Sequence, residues 1–182
     1  MLGASFALPP FLDTKSLPPW IEPQTIEQRE ATCPSLPSFM TTTNRIIDGE
    51  TAPSPIPWQI SIQFRGIDGA HYCGGSVLDS KTIVTAAHCT DKSAEDYSKW
   101  TIRAGDTNKM EGQRIQIAQV IIHPDWDPEM IRNDIAIIKL SEPLTLDETV
   151  QPICLPPGEL ELEDGADCFA SGWGATQYSK IF

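Results

Sequence analysis

Short segments in which apolar and polar residues alternate run through the middle of the chain. Between Trp58 and Phe64 the apolar side chains are separated by glutamine and serine, which is the period-2 pattern of a strand buried on one face. Gly66, Asp68 and Gly69 follow and indicate a turn. Further β-rich segments are predicted at Ser76–Thr85, Trp100–Ala104, Arg114–Ile122, Asp134–Leu140 and Cys168–Trp173. Many short strands without a long amphipathic helix predict an all-β barrel or sandwich.

The first 45 residues differ in composition from the rest. They contain seven of the 16 prolines and show no sustained periodicity, so they are interpreted as an irregular leader. Met1 to Leu8 is apolar, but no basic residue precedes it and Pro9 interrupts it. It is therefore a weak secretory signal, with an arbitrary extended segment as the alternative.

The charge of the chain restricts its partners. The formal net charge is −12, which disfavours nucleic acid and anionic membrane surfaces because both would repel the protein. No apolar segment reaches the roughly 18 residues of a membrane helix. The acidic residues between Glu159 and Asp167 are interpreted as a solvated loop, and those from Asp106 to Glu111 as an acidic turn that lacks the spacing of a calcium-binding EF-hand.

One of the three histidines stands out. His71 and His123 lack the spacing of metal ligands and are predicted to be structural. His88 follows a β-branched segment that ends at Thr85, and a disulfide between Cys73 and Cys89 would fix the turn that carries it. Zinc at Cys73, His88 and Cys89 is disfavoured, because no second C-x-x-C or H-x-x-x-H completes four ligands.

Several motifs together resemble the chymotrypsin-like, or trypsin-type, serine proteases. They are R-I-I-D-G at Arg45–Gly49, C-G-G-S-V-L-D at Cys73–Asp79, T-A-A-H-C at Thr85–Cys89, N-D-I-A-I-I-K-L at Asn133–Leu140, P-I-C-L-P at Pro152–Pro156 and S-G-W-G at Ser171–Gly174. The resemblance implies a double β-barrel in a peptidase domain over residues 46–182. Residues 46–150 would form a complete first barrel, and residues 151–182 the start of a truncated second barrel.

The resemblance also assigns roles to two residues. His88 would be the general base, and Asp134 would hold its tautomer and stabilise the imidazolium. The two residues are 46 positions apart, close to the family's separation of about 45. Histidine suits proton transfer because its unperturbed pKa of about 6.5 lies near neutrality. Polypeptides would be the substrates, and no cofactor is expected.

The nucleophile of such a protease is missing from these residues. The family places its serine, in a G-D-S-G-G segment, about 90 residues beyond the aspartate, and the chain contains no such segment. Ser76 and Ser171 belong to other motifs and are not nucleophile candidates. The chain as written is therefore expected to be an inactive fragment of a serine endopeptidase. The alternative is a non-catalytic binding module whose acidic surface contacts a basic partner.

The resemblance further implies how the chain is processed and cross-linked. It pairs Cys73 with Cys89 and Cys33 with Cys154, and it leaves Cys168 unpaired. A junction at Arg45-Ile46 resembles the activation site of a zymogen and implies an activating protease that cuts after a basic residue. Disulfides and family together favour a secreted protein.

Overall fold

A computed structural model of the chain describes residues 51–64, 70–90, 97–155, 164–166 and 168–174. Six strands are formed there: β1 (Gln59–Phe64), β2 (Ala70–Asp79), β3 (Thr82–Thr85), β4 (Trp100–Ala104), β5 (Gln113–Ile122) and β6 (Ala136–Leu140). Two short 3₁₀ turns lie at Ala87–Cys89 and Tyr97–Lys99. The predicted all-β class is confirmed.

The six strands close into one antiparallel barrel. Their order around the barrel is β1-β2-β3-β6-β5-β4, and β4 returns to pair with β1. β3 pairs with β6 in a register that sets Thr85 opposite Ala136. This register brings two distant parts of the chain to the same end of the barrel. The family's first barrel is thus formed as the resemblance implied.

Apolar side chains from every strand fill the inside of the barrel and form the core. It contains Ile60, Ile62, Val77, Ile83, Trp100, Ile102, Ala104, Ile117, Ile138, Leu140, Leu144 and Val150. Leu144 and Val150 come after β6, and the backbone amide of Leu144 donates to the carbonyl of Ser80 (2.7 Å). The segment that follows the last strand therefore contributes to the same core.

The outward face of β1 is buried as well, so the prediction of a strand exposed on one face was wrong here. Ser61 is 0% exposed and Gln63 is 1% exposed. The hydroxyl of Ser61 hydrogen-bonds to His71, and the Gln63 amide donates to the carbonyl of Lys109. Polar side chains can be buried on this face because each has a hydrogen-bonding partner.

Two other strand predictions are corrected. The segment Ser76–Thr85 is a hairpin, in which β2 ends at Asp79 and β3 begins at Thr82; the amide of Lys81 donates to the Asp79 carboxylate (2.7 Å) in the turn. Cys168–Trp173 forms no strand. The hydroxyl of Ser171 instead donates to the Gln59 side chain (2.8 Å) on β1.

Several sequence predictions lie outside the described residues. They concern the leader at 1–45, the Arg45-Ile46 junction, Cys33, the turn at Gly66–Gly69 and most of the acidic stretch at Glu159–Asp167. Among the described residues, no helix is long and apolar enough to cross a membrane.

Candidate active site

His88 sits on a short turn directly after β3. Ala86 and Ala87 are buried, with 1% and 0% exposure, and they anchor the turn below the imidazole. The amide of Thr90 donates to the carbonyl of Ala87 (2.8 Å), and its hydroxyl does the same (3.1 Å). The backbone around His88 is thus held on both sides, while the side chain itself is 46% exposed.

The turn is also fixed by two links to β2. Cys73 and Cys89 form a disulfide with a Cα–Cα distance of 6.1 Å, as predicted. The hydroxyl of Thr85 donates to the carbonyl of Gly74 (2.8 Å). Because both links join the His88 turn to adjacent residues of β2, the imidazole is held relative to the barrel and not only to its own strand.

Asp134 lies just before β6, in a loop with its own internal hydrogen bonds. The strand begins at Ala136, two residues later than the sequence predicted. Asn133 has a positive φ of 55°, which Asn tolerates better than most residues, and its side-chain amide donates to the carbonyl of Asp125 (2.8 Å). This sharp change of direction releases Asp134 from the strand so that its carboxylate can point to His88.

Both oxygens of the Asp134 carboxylate are bonded to His88. The Oδ1 atom accepts the backbone N–H of His88 (2.8 Å), and Oδ2 lies 2.7 Å from the ring Nδ1. The aspartate side chain is only 11% exposed. This two-point contact fixes both the position and the rotation of the imidazole, across 46 residues of sequence.

The chemistry of the pair defines where the proton sits. An ionised carboxylate can only accept hydrogen bonds, so Nδ1 of His88 carries the proton and Nε2 holds the lone pair in the neutral ring. A half-exposed imidazole with its basic nitrogen at Nε2 can take a proton from a neighbouring hydroxyl and give it back. A carboxylate in the position of Asp134 would stabilise an imidazolium formed in this way.

A second serine–histidine pair was missed by the sequence reasoning. Ser61 Oγ lies 2.8 Å from His71 Nδ1, and the ring of His71 meets the edge of Trp173 with centroids 5.5 Å apart. Burial, with a smaller contribution from the charge of Lys109, lowers the pKa of His71 below its ordinary value. Because Ser61 is 0% exposed, a substrate cannot reach its hydroxyl, and the pair is structural, as expected for His71. The ten-residue spacing across a β-hairpin carries no sequence signal of its own.

The other histidine and serine residues considered in the sequence make structural contacts. His123 accepts the amide of Asp125 at its ring Nδ1 (3.1 Å), Ser76 pairs with Gln59 and Val84 within the sheet, and Ser171 is bonded to Gln59.

The acidic turn at 106–111 uses its own oxygens internally. Asp106 accepts the amide of Asn108 (2.8 Å), and Asn108 accepts the amide of Met110 (3.0 Å). These are the contacts of an ordinary turn, the interpretation that the sequence favoured.

The other cysteines differ in state. Cys168 is an exposed free thiol. Cys154 takes part in a disulfide, and its predicted partner Cys33 lies outside the described residues.

Comparison with known proteins gives a consistent result. The family model described as Trypsin matches residues 46–181. A curated relative, Ovochymase of Halocynthia roretzi, is 38% identical over 146 residues, which cover 75% of this chain and 9% of the relative. The chain therefore spans about a tenth of the length of that relative.

A solved structure is also similar in part. It is the scabies mite inactivated protease paralogue S-D1, at 24% identity and a TM-score of 0.47, over 53% of this chain and 39% of that one. The overlap is partial, and the family assignment rests on the sequence match.

Proposed function

Because the chain belongs to the trypsin family, we propose that its barrel supplies the general base of a serine-type endopeptidase. The observation that carries this is the two-point contact between Asp134 and His88, with Nδ1 at 2.7 Å and the backbone amide at 2.8 Å. His88 Nε2 would take the proton of a serine hydroxyl as it attacks a peptide carbonyl. The same proton would then pass to the departing amine.

The 182 residues do not supply the other half of that reaction. They contain no G-D-S-G-G segment, and in this family that segment provides the nucleophile and the amides that stabilise the oxyanion. Proteases that lose a triad residue still accelerate hydrolysis about 10³–10⁴-fold, because those amides and the substrate site remain. The polypeptide as written has neither contribution, so we propose that it is inactive alone.

Activation and cross-linking are part of the same proposal. Cleavage between Arg45 and Ile46, by a protease that cuts after basic residues, would convert a zymogen into the mature protease. A Cys33–Cys154 disulfide would keep the leader attached after the cut; the disulfide state of Cys154 supports this. Because disulfides persist in oxidising compartments, the Cys73–Cys89 bond supports an extracellular site of action.

Two experiments test the proposal. The purified chain is treated with a fluorophosphonate probe, and no serine should be labelled; covalent labelling of any serine would refute the proposed inactivity. For the role of His88, residues 1–174 are joined to the remaining second-barrel segment of an active trypsin-family enzyme and then cleaved after Arg45.

In that chimera, Asp134→Asn should lower kcat about 10⁴-fold because the imidazole takes the wrong tautomer. His88→Ala should lower it at least as far. Glu142→Ala is the control and should leave the rate unchanged, since Glu142 is an exposed residue after β6. Equal peptidase rates in the parent chimera and in its His88→Ala variant would remove His88 from the mechanism.

A further inference from the structure

Three potential metal ligands, one of them His88 itself, lie close together at the turn after β3. One ligand atom each from Cys73, His88 and Cys89 lies within 4.8 Å of the others. In the oxidised chain both sulfurs are consumed by the disulfide, and a disulfide sulfur is not a thiolate ligand. Reduction of that one bond would place two thiols beside an imidazole, which is a donor set that zinc favours.

The spacing of the donors agrees with tetrahedral zinc. Zinc–sulfur bonds of about 2.3 Å and zinc–nitrogen bonds of about 2.0–2.1 Å, at a tetrahedral angle, set sulfur and nitrogen about 3.6 Å apart. Cys89 Sγ lies 3.5 Å from His88 Nε2. One edge of the tetrahedron is therefore present already, and the second sulfur has only to separate from the first, to about 3.8 Å.

The residue behind the imidazole supports the same interpretation. A histidine that binds a metal through one nitrogen usually donates the other N–H to a carboxylate, which fixes the ring and raises its basicity. Asp134 accepts that bond from His88 Nδ1 at 2.7 Å, and the other ring nitrogen, Nε2, faces Cys89 Sγ at 3.5 Å. The net charge of −12 also favours the approach of a cation.

We propose that the reduced chain binds one Zn²⁺ through Cys73 Sγ, Cys89 Sγ and His88 Nε2, with water as the fourth ligand. A three-ligand set of two cysteines and one histidine leaves an open position, as catalytic zinc sites do. The half-exposed imidazole gives the ion access from solvent. Disulfide and zinc exclude each other, since both require the same two sulfurs.

The chemical step needs a dithiol reductant. One thiolate of the dithiol attacks the Cys73–Cys89 bond, that bond breaks, and a mixed disulfide forms. The second thiolate then closes the reductant into its own cyclic disulfide and releases both protein thiols. Two electrons pass to the protein with two protons. Binding of Zn²⁺ displaces the two thiol protons to solvent.

Such a site would regulate proton transfer by His88, and this consequence rests on the proposed function. Zinc would occupy the lone pair of His88 Nε2, so the imidazole could no longer accept a proton from a serine. A small disulfide oxidant would reverse this by thiol–disulfide exchange: it accepts two electrons from the two protein thiolates and leaves as two thiols, the Cys73–Cys89 bond re-forms, and the ion and the His88 lone pair are released. A protease completed by the missing serine segment would thus lack its general base until the Cys73–Cys89 bond re-forms.

Cobalt provides a direct test, because Co²⁺ in a tetrahedral thiolate site is coloured and zinc displaces it. The full chain, reduced with a dithiol that is then removed, is titrated with Co²⁺ without oxygen, and then with Zn²⁺. We expect the reduced chain to bind one equivalent of Co²⁺ with the absorption spectrum of a tetrahedral site, and the oxidised chain to show no such spectrum. An equal spectrum in the oxidised chain would overturn the proposal.

Variants separate a folded site from loose chelation by thiols. Asp134→Asn should weaken zinc binding about 10- to 100-fold, as loss of such a supporting carboxylate does elsewhere, and His88→Ala should weaken it further. Cys168→Ser, which removes an exposed free thiol, and Cys154→Ser, which removes a thiol that the same reduction releases, are the matched controls and should leave the affinity unchanged.

Three results would overturn the proposal: affinity that is indifferent to Asp134, affinity that falls with Cys168→Ser, or loss of the β-sheet circular dichroism on reduction. The readout is metal binding, so a failure here is distinguishable from a failure of the chimera that tests the general base.

Discussion

Two adjacent glycines in β2 offer a sharp test of how the barrel is packed. A Cβ atom added at Gly75 would lie 2.8 Å from the backbone oxygen of Val84 on β3, and 3.1 Å and 3.2 Å from side-chain atoms of Ile60 and Ile83. Ile60 and Ile83 are both 0% exposed. At Gly74 the nearest atom is the end of the Gln59 side chain, at 3.1 Å, and a flexible side chain can yield by the few tenths of an ångström that this contact requires.

The two Gly→Ala substitutions should affect the free energy of unfolding differently. Overpacking a filled core costs about 1–3 kcal/mol, while Gly→Ala in a compatible strand gains about 0.4–1 kcal/mol through the unfolded chain. Gly75→Ala should therefore lower the free energy of unfolding by about 1–2 kcal/mol. Gly74→Ala should leave it unchanged or raise it by up to about 1 kcal/mol.

Urea unfolding of the oxidised chain measures the difference. With a slope of about 2 kcal/mol per molar urea, the two midpoints should lie about 1 M apart, with Gly75→Ala the lower. Tryptophan fluorescence follows the transition; the five tryptophans include Trp100, which lies in the core and is 8% exposed. If Gly75→Ala were as stable as Gly74→Ala, then β3 would not pack against β2 as closely as described.

Two further predictions concern conformation and pH. Ile131 is 69% exposed and has φ 52°, a conformation that costs a residue with a Cβ about 1–2 kcal/mol. The Ile131→Gly variant should therefore be about 1–2 kcal/mol more stable to urea than the control variant Met130→Gly. Equal urea midpoints for the two variants would contradict this. Burial, with a smaller contribution from Lys109, lowers the pKa of His71 below its ordinary value. The unfolded chain therefore takes up the proton at a higher pH than the folded chain does, and stability should fall as the pH drops below about 6.5. Urea midpoints at pH 7.5 and 5 should show this fall, and His71→Gln should reduce it; an undiminished fall in the variant would assign it to other groups.

The sequence predicted the strands better than it predicted their surroundings. β4 was placed at Trp100–Ala104, as it is in the structure, because its apolar pattern reflects the core directly. The burial of Ser61 and Gln63 could not be foreseen, since their partners His71 and Lys109 come from other parts of the chain. Periodicity describes one face of a strand and carries no information about a loop that later covers the other.

The candidate site was also predictable only in part. The types and spacing of His88 and Asp134 were evident from the motifs, but the bend that aims the carboxylate was not. Asn133 adopts a positive φ, and asparagine in that position is a weak signal. Ile131 also has a positive φ, and a β-branched residue gives no sequence indication of it.

The pairing of β3 with β6 has a consequence for how such a protein can change over time. Thr85 lies opposite Ala136, so His88 and Asp134 flank a single point of strand contact. The turn between β4 and β5, residues 105–112, lies within the 46 residues that separate them and contributes nothing to that contact. A change in this turn would disturb the Lys109 carbonyl that accepts the buried Gln63 amide on β1, but it would leave the register of β3 with β6 unchanged. The strand pairing that brings His88 and Asp134 together is therefore separate, in sequence and in hydrogen bonds, from the turn that covers the outer face of β1.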